Sequence, residues 1–286
     1  MPDVELTAGT IEYEDTGGDG PVVVLLHGLA MDGSLWRHVV RDLRADHRCV
    51  VPTLPLGGHR RPMREDADLS LHGQARLVAE FLERLDLRDV VLVQSDIGIG
   101  LVLAGDNPER VGRLVLASCE AFDNYPPGLP GRTVRFAARI PGGLNAAFQP
   151  MRLRALRRLP MALGRMTKRP IPHEVTDAWF RPLMTQRAIR RDLAKYARAA
   201  DRRDMIAATE RLRSFDRPVL VVWAAEDRVM PPEHGRRLAR LLPDARLVEI
   251  ADSATLIPED QPGELSRAIR EFIRETGAPS RAANDR

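Results

Sequence analysis

The sequence predicts an α/β protein: a mostly parallel twisted sheet, helices on both faces, and an inserted helical cap. Three observations predict it. Short all-apolar runs at 22–26, 90–93 and 218–223 read as strands buried on both faces. Helical patterns alternate with them, as crossover connections in a parallel sheet require. This rhythm lapses over residues 122–214, where only short helical patterns and Pro/Gly turns occur, and then resumes.

In chain order, residues 4–7 and 10–15 alternate around Ala8-Gly9 and suggest an opening hairpin. The strand at 22–26 ends in His27-Gly28-Leu29. A helix follows from about Ser34, read as its N-cap, with Leu35, Trp36, Val39, Val40 and Leu43 on one side. Residues 48–51 form the next strand, and a Pro/Gly-rich loop carrying His59 follows it. Residues 71–86 are an amphipathic helix. Further strands are expected at 90–93, 111–117, 218–223 and 245–250, and helices at about 232–241 and 262–274. The expected division is a core at 1–121 and 215–276, a cap at 122–214, and a disordered tail at 277–286.

A chain of 286 residues suffices for one large domain with an insertion. A net charge of +3 is too mild to argue for nucleic acid. Cys49 and Cys119 sit in apolar runs without a CxxC neighbour and read as buried free thiols. The N-terminus lacks a basic and apolar leader pattern, and no segment reaches ~20 apolar residues, so a cytoplasmic location without membrane insertion is expected. The sequence leaves a homodimer open. No metal or organic cofactor is expected, because there is no His/Cys ligand cluster and no Gly-rich phosphate loop.

The chemistry concentrates where the strand at 90–93 breaks straight into a helix, at Gln94-Ser95-Asp96-Ile97-Gly98. So tight a turn holds its tip residue above the sheet, beside helix N-terminal N–H groups. The tip is Asp96. Asp227 follows Trp223, Glu120 follows the strand at 111–117, and Pro258-Glu259-Asp260 forms a turn.

In this order and spacing, His27-Gly28, the Asp96 elbow, Asp227 and Glu259 make the sequence resemble the α/β-hydrolase superfamily over nearly its full length. An Asp at the elbow resembles the branch of haloalkane dehalogenases and epoxide hydrolases. The resemblance implies that Asp96 attacks an electrophilic sp³ carbon and forms an alkyl ester, which water cleaves. It implies an oxyanion hole from the backbone N–H groups of Leu29 and Ile97, and Asp227 as the acid that orients a histidine. The position aligned with that histidine is Thr255, whose hydroxyl is no general base. Three readings stay open. The first is a hydrolase with another base, His59 before His234 or His173. In the second Asp96 is an acid or base for a non-hydrolytic reaction of lyase or isomerase type. The third is a pocket that only binds.

The expected substrate is a small hydrophobic molecule. Ile97, where such dehalogenases carry Trp, lowers the case for a haloalkane; Tyr125 and Tyr196, both in the cap, favour an epoxide. Trp179 is the one tryptophan expected to face the pocket, and His27 is expected to tie loops together. From Asn124 to His173 there is no Asp or Glu, while ten Arg and Lys interleave with Leu and Met. Such a lid would attract an anionic lipid or acidic substrate, or is simply an Arg-rich solvated face.

Overall fold

The computed structural model describes residues 1–277. The tail expected at 277–286 lies, apart from Gly277, outside the described residues. One eight-stranded sheet organises the chain, in the order β1-β2-β4-β3-β5-β6-β7-β8. The strands are β1 (Asp3–Leu6), β2 (Gly9–Asp15), β3 (Val22–Leu26), β4 (Arg48–Pro52), β5 (Val90–Asp96), β6 (Val111–Cys119), β7 (Val219–Ala224) and β8 (Ala245–Ile250). The opening hairpin is antiparallel, and β2 joins β4 antiparallel; every other pairing is parallel.

β5 lies in the middle and is buried along its whole length. Val90 to Val93 are fully excluded from water, which stabilises the fold by about 1.5–3 kcal/mol for each such side chain. Alternate residues of β5 serve two cores. Val90 and Leu92 join one with α2 (Leu71–Arg84) and α3 (Ile99–Asp106), while Val91 and Val93 join the other with α1 (Arg37–Leu43) and α11 (Pro262–Gly277). This two-sided cover is why the strand reads as a continuous apolar run rather than an alternating one.

Local chemistry sets the helix ends. Ser70 caps α2, its Oγ accepting from Gly73 N–H at 3.1 Å. The helix near Ser34 begins differently from expectation. Residues Gly33–Trp36 form a 3₁₀ turn whose N-cap is Asp32, with Oδ1 accepting from Ser34 N–H at 2.9 Å. Asp32 offers a stronger, charged acceptor, and the Ser34 hydroxyl bonds to it instead of capping.

Between β6 and β7 the described chain is helical: α4 (Gly128–Arg139), α5 (Gly143–Phe148), α6 (His173–Thr185), α7 (Arg187–Ala199) and α8 (Arg202–Arg211), with 3₁₀ turns between α5 and α6. After β7 come α9 (Pro232–Leu241), β8, a four-residue α10 (Ile257–Asp260) and α11. Among the described residues no helix is long and apolar enough to cross a membrane.

Trp179 does not face a pocket. It is fully buried, and its indole N–H donates to Ser34 Oγ at 2.9 Å and Asp32 Oδ1 at 3.2 Å. An indole buried whole must place its one donor, and the cap of the Gly33–Trp36 turn receives it.

Candidate active site

The candidate residues sit past the carboxyl ends of adjacent parallel strands: Leu29 after β3, Asp96 at the end of β5, Glu120 after β6, Asp227 after β7 and Thr255 after β8. The sequence order reverses between β3 and β5, and open α/β sheets bind ligands at such a switch point.

Asp96 has φ +74°, a left-handed conformation costly for a residue with a Cβ. The elbow is held by what packs on it. A Cβ on Gly98 would lie 2.5 Å from the Met205 methyl, and one on Gly28 would lie 2.4 Å from Asp96 Oδ2. Gln94, buried in β5, accepts from Gly100 N–H at 2.5 Å and Leu101 N–H at 3.3 Å, so its side chain caps α3 from within the strand. A lone amide in an apolar run was the signal for that role.

The Asp96 carboxylate accepts from Leu29 N–H at 3.0 Å. The Ile97 N–H donates to Ser95 C=O at 3.0 Å across the tight turn. Burial pushes the Asp96 carboxyl up from 3.8 to about 7; the Leu29 N–H works against this, and the Asp227 charge adds to it. Glu120 is buried beside it. Gly98 N–H donates to Glu120 Oε2 at 3.2 Å, and the Tyr196 hydroxyl lies 3.5 Å from the same oxygen. Burial and the nearby Asp96 hold the Glu120 carboxyl well above its usual range.

A cavity of ≈ 90 Å³ opens above these groups. Leu29, Asp96 and Glu120 form its floor, and Tyr125, Tyr196 and α4 residues such as Val134 form its walls. Both phenols are buried, and they lie beside each other. Arg135 and Met166, read in the sequence only as part of the basic lid, also line the cavity, as does Val229, which nothing in the sequence marked. Clefts of ≈ 660 and ≈ 930 Å³ lie elsewhere and do not contain Asp96.

Thr255, in the loop after β8, lies against Asp227. Its hydroxyl donates to Asp227 Oδ1 at 2.7 Å, and the same oxygen accepts from Val229 and Met230 N–H at 2.9 and 2.8 Å. Asp227 is thus held in place, but it orients a hydroxyl rather than an imidazole.

A sequence profile of the alpha/beta hydrolase fold family matches residues 21–262. The chain belongs to the α/β-hydrolase fold family. It is 24% identical over 285 residues to a haloalkane dehalogenase of Mesorhizobium japonicum, covering 95% of this chain and 90% of that one. It is 29% identical over 284 residues to a cis-3-alkyl-4-alkyloxetan-2-one decarboxylase of Xanthomonas campestris pv. campestris, covering 92% of each. Among solved structures, that of an ancestral haloalkane dehalogenase superposes with a TM-score of 0.77 at 21% identity, covering 98% of this chain and 100% of that one. An esterase from Thermogutta terrifontis superposes with a TM-score of 0.74 at 23% identity, covering 97% and 100%. At such identities the superpositions speak for the fold alone.

None of the histidines read as candidate bases lines the cavity. His59 is bonded elsewhere. Its Nδ1 accepts from Gly57 N–H at 3.2 Å, which leaves Nε2 to face Asp192 at 3.2 Å, and it does not line the cavity. Asp192 is fully buried and needs that donor. His234 sits against the Phe122 ring and 3.9 Å from Asp123, and His173 opens α6 at the ≈ 660 Å³ cleft. His27 ties loops: its Nε2 accepts from Leu54 N–H at 2.8 Å, so Nδ1–H donates to Gly28 C=O at 2.9 Å. Burial pushes its imidazole down to about 4. Glu259 pairs with Arg37 through two hydrogen bonds, at 2.5 and 2.7 Å, and joins α10 to α1. Among the described residues no group of three His, Cys, Asp or Glu side chains is placed to hold a metal.

Proposed function

We propose that this hydrolase-fold enzyme opens a small apolar epoxide by attack of Asp96 on a ring carbon. One observation carries the reading: the nucleophile and two buried phenols, Tyr125 and Tyr196, line the same ≈ 90 Å³ apolar cavity. Opening an epoxide breaks a C–O bond and leaves an alkoxide that needs a proton. A phenol O–H supplies it, and Tyr125 and Tyr196 both line the cavity. A departing halide needs N–H donors, and the Ile97 side chain has none.

Attack requires the ionised Asp96. It joins Asp96 to carbon, breaks the ring C–O bond, and moves a tyrosine proton to the leaving oxygen. Water then adds to the ester carbonyl. Leu29 N–H, already 3.0 Å from Oδ2, stabilises the resulting oxyanion, and Ile97 N–H turns toward it as the second donor. With Thr255 in the histidine position, the remaining carboxylate in the cavity, Glu120, takes one proton from water; collapse then breaks the bond from the Asp96 acyl carbon to the alkyl oxygen, Glu120 gives its proton to that oxygen, and the Asp96 carboxyl proton returns to the tyrosinate. Burial holds the Glu120 carboxyl well above the usual range, so the ionised form is a stronger base. With no imidazole at Thr255, ester hydrolysis is the slow step. A second reading, lyase-type chemistry with Asp96 as acid or base, is favoured by Thr255 itself, since such a reaction needs no water-activating imidazole.

The test offers short-chain epoxides to the purified protein and follows an alkyl adduct on the Asp96 peptide by mass spectrometry. The adduct should form before diol appears. Tyr125→Phe and Tyr196→Phe should each slow adduct formation about 10–100-fold without slowing reaction with a matched haloalkane. Ring opening that survives Asp96→Asn would overturn the reading. Turnover with no adduct would favour the acid/base chemistry.

A further inference from the structure

The cationic side chains between Arg152 and Arg169 take no part in this chemistry. The structure gives them a shape. Most of the lining of the ≈ 660 Å³ cleft comes from residues 154–176, and Glu226, Arg228 and Ala254 complete it. Seven cationic side chains line it against one carboxylate, Glu226. Lys168 pairs with Glu226 and Asp252 at 2.7 and 2.8 Å, Arg169 pairs with Asp252, and Arg154 and Arg157 share Asp177. Among the described residues Arg158, Arg165 and Arg228 pair with no carboxylate.

The cleft is braced from below. Asp260, 2% exposed, accepts from Lys168 and Arg169 N–H at 2.9 Å and from the Thr167 hydroxyl at 2.7 Å. Its rim is apolar. Of eight exposed large hydrophobic residues among those described, six lie between 129 and 161. Leu153, Leu159 and Met161 are 65%, 47% and 45% exposed, and they alternate along the chain with the cleft arginines. On α4, Leu129 and Phe136 are exposed at helical spacing with Arg132 and Arg139, and Ile140 follows at its end. The other side of α4, through Pro130 and Val134, lines the reaction cavity.

A soluble anion accounts for the cations but not for the bare apolar side chains beside them. An anionic lipid surface accounts for both: phosphates neutralise the arginines, and the apolar groups leave water at the headgroup boundary. It also accounts for the want of any carboxylate between Asn124 and His173, since one there would be repelled. We infer that this face docks the protein on membranes rich in anionic phospholipid. Headgroup phosphates enter the cleft, and Leu153, Leu159 and Met161 enter the interface.

The test is flotation of the full chain with phosphatidylglycerol/phosphatidylcholine vesicles and with phosphatidylcholine vesicles alone. Binding to the anionic vesicles alone is expected, falling steeply between about 0.05 and 0.5 M salt. Arg158→Gln with Arg165→Gln should lower the partition coefficient about 30-fold, from about 1 kcal/mol per basic residue. Leu153→Ser with Met161→Ser should weaken binding and leave its salt dependence intact. All four side chains are exposed, and an unchanged melting temperature verifies the fold of each variant. No binding to anionic vesicles at low salt would overturn the inference. So would equal binding to phosphatidylcholine, or binding that survives both variants. Saturable binding of glycerol phosphate without vesicle binding would instead assign the cleft to a soluble phosphate ligand.

Discussion

Replacing Asp96 by Asn should stabilise the protein, by an amount that grows as pH rises from 3.8 to about 7 and then levels off. The Asp96 carboxyl is raised from 3.8 to about 7 by burial in the elbow. Its contribution to stability is fully present below 3.8, where the group is neutral in both folded and unfolded chains. That contribution is lost as pH rises through about 7, because the folded state must then bury a charge. The gap between 3.8 and about 7, at about 1.4 kcal/mol per pH unit, corresponds to about 4 kcal/mol. Asn keeps an acceptor for Leu29 N–H but adds an amide N–H₂ facing an apolar cavity, which lowers the expected gain to about 2–4 kcal/mol. Urea unfolding of both proteins at about pH 4 and pH 8.5 reads this directly. The variant should be near-equal to wild type at the lower pH and clearly more stable at the higher. The same ionisation governs attack on substrate, so adduct formation in the wild type should fall about tenfold per pH unit below 7. A stability difference that does not change with pH, or a wild type favoured at pH 8.5, would refute the reasoning.

Other predictions follow from single contacts. Gly28→Ala places a methyl 2.4 Å from Asp96 Oδ2; adduct formation should fall at least ~100-fold, since a misplacement near 1 Å costs that much, and single-turnover kinetics would show it. Arg37→Ala strands the buried Glu259 and should cost about 3 kcal/mol in urea unfolding; adding Glu259→Gln should recover part of that. Thr255→His sets an imidazole against Asp227, where Thr255 Oγ1 now lies 2.7 Å from Oδ1. It should shorten the life of the Asp96 ester about tenfold or more, read by adduct decay after removal of substrate. An unchanged decay in a folded variant would show that the imidazole does not reach the water.

The sheet and the elbow were legible in the sequence because their signals are local. Apolar runs such as Val90 to Val93 need only their neighbours to be read, and Asp96 stands between a strand and a helix pattern with no room for a loop. The fate of the histidines was not legible. His59 looked free in a Gly-rich loop, but its partner Asp192 lies 133 residues further on, and only the folded chain brings them together. Trp179 fails for the same reason: its acceptors Ser34 and Asp32 belong to a different part of the chain. The start at Gly33 turned on which of two neighbouring polar residues accepts the first N–H, a choice decided by charge and geometry rather than by residue class. Tyr125 and Tyr196 were singled out as cap tyrosines, but their joint approach to Asp96 is a product of how α4 and α7 pack.

The backbone bond from Leu256 N–H to Met166 C=O, at 2.7 Å, joins two regions treated separately so far. Met166 follows Arg165 of the basic cleft and also lines the reaction cavity, while Leu256 follows Thr255. Asp260 doubles the link by accepting from Ala254 N–H as well as from the cleft backbone. The cleft and the cavity therefore share one stretch of chain, and any coupling between them would run through it. Reciprocity makes the coupling measurable from both ends: the factor by which vesicles tighten substrate binding must equal the factor by which substrate tightens vesicle binding.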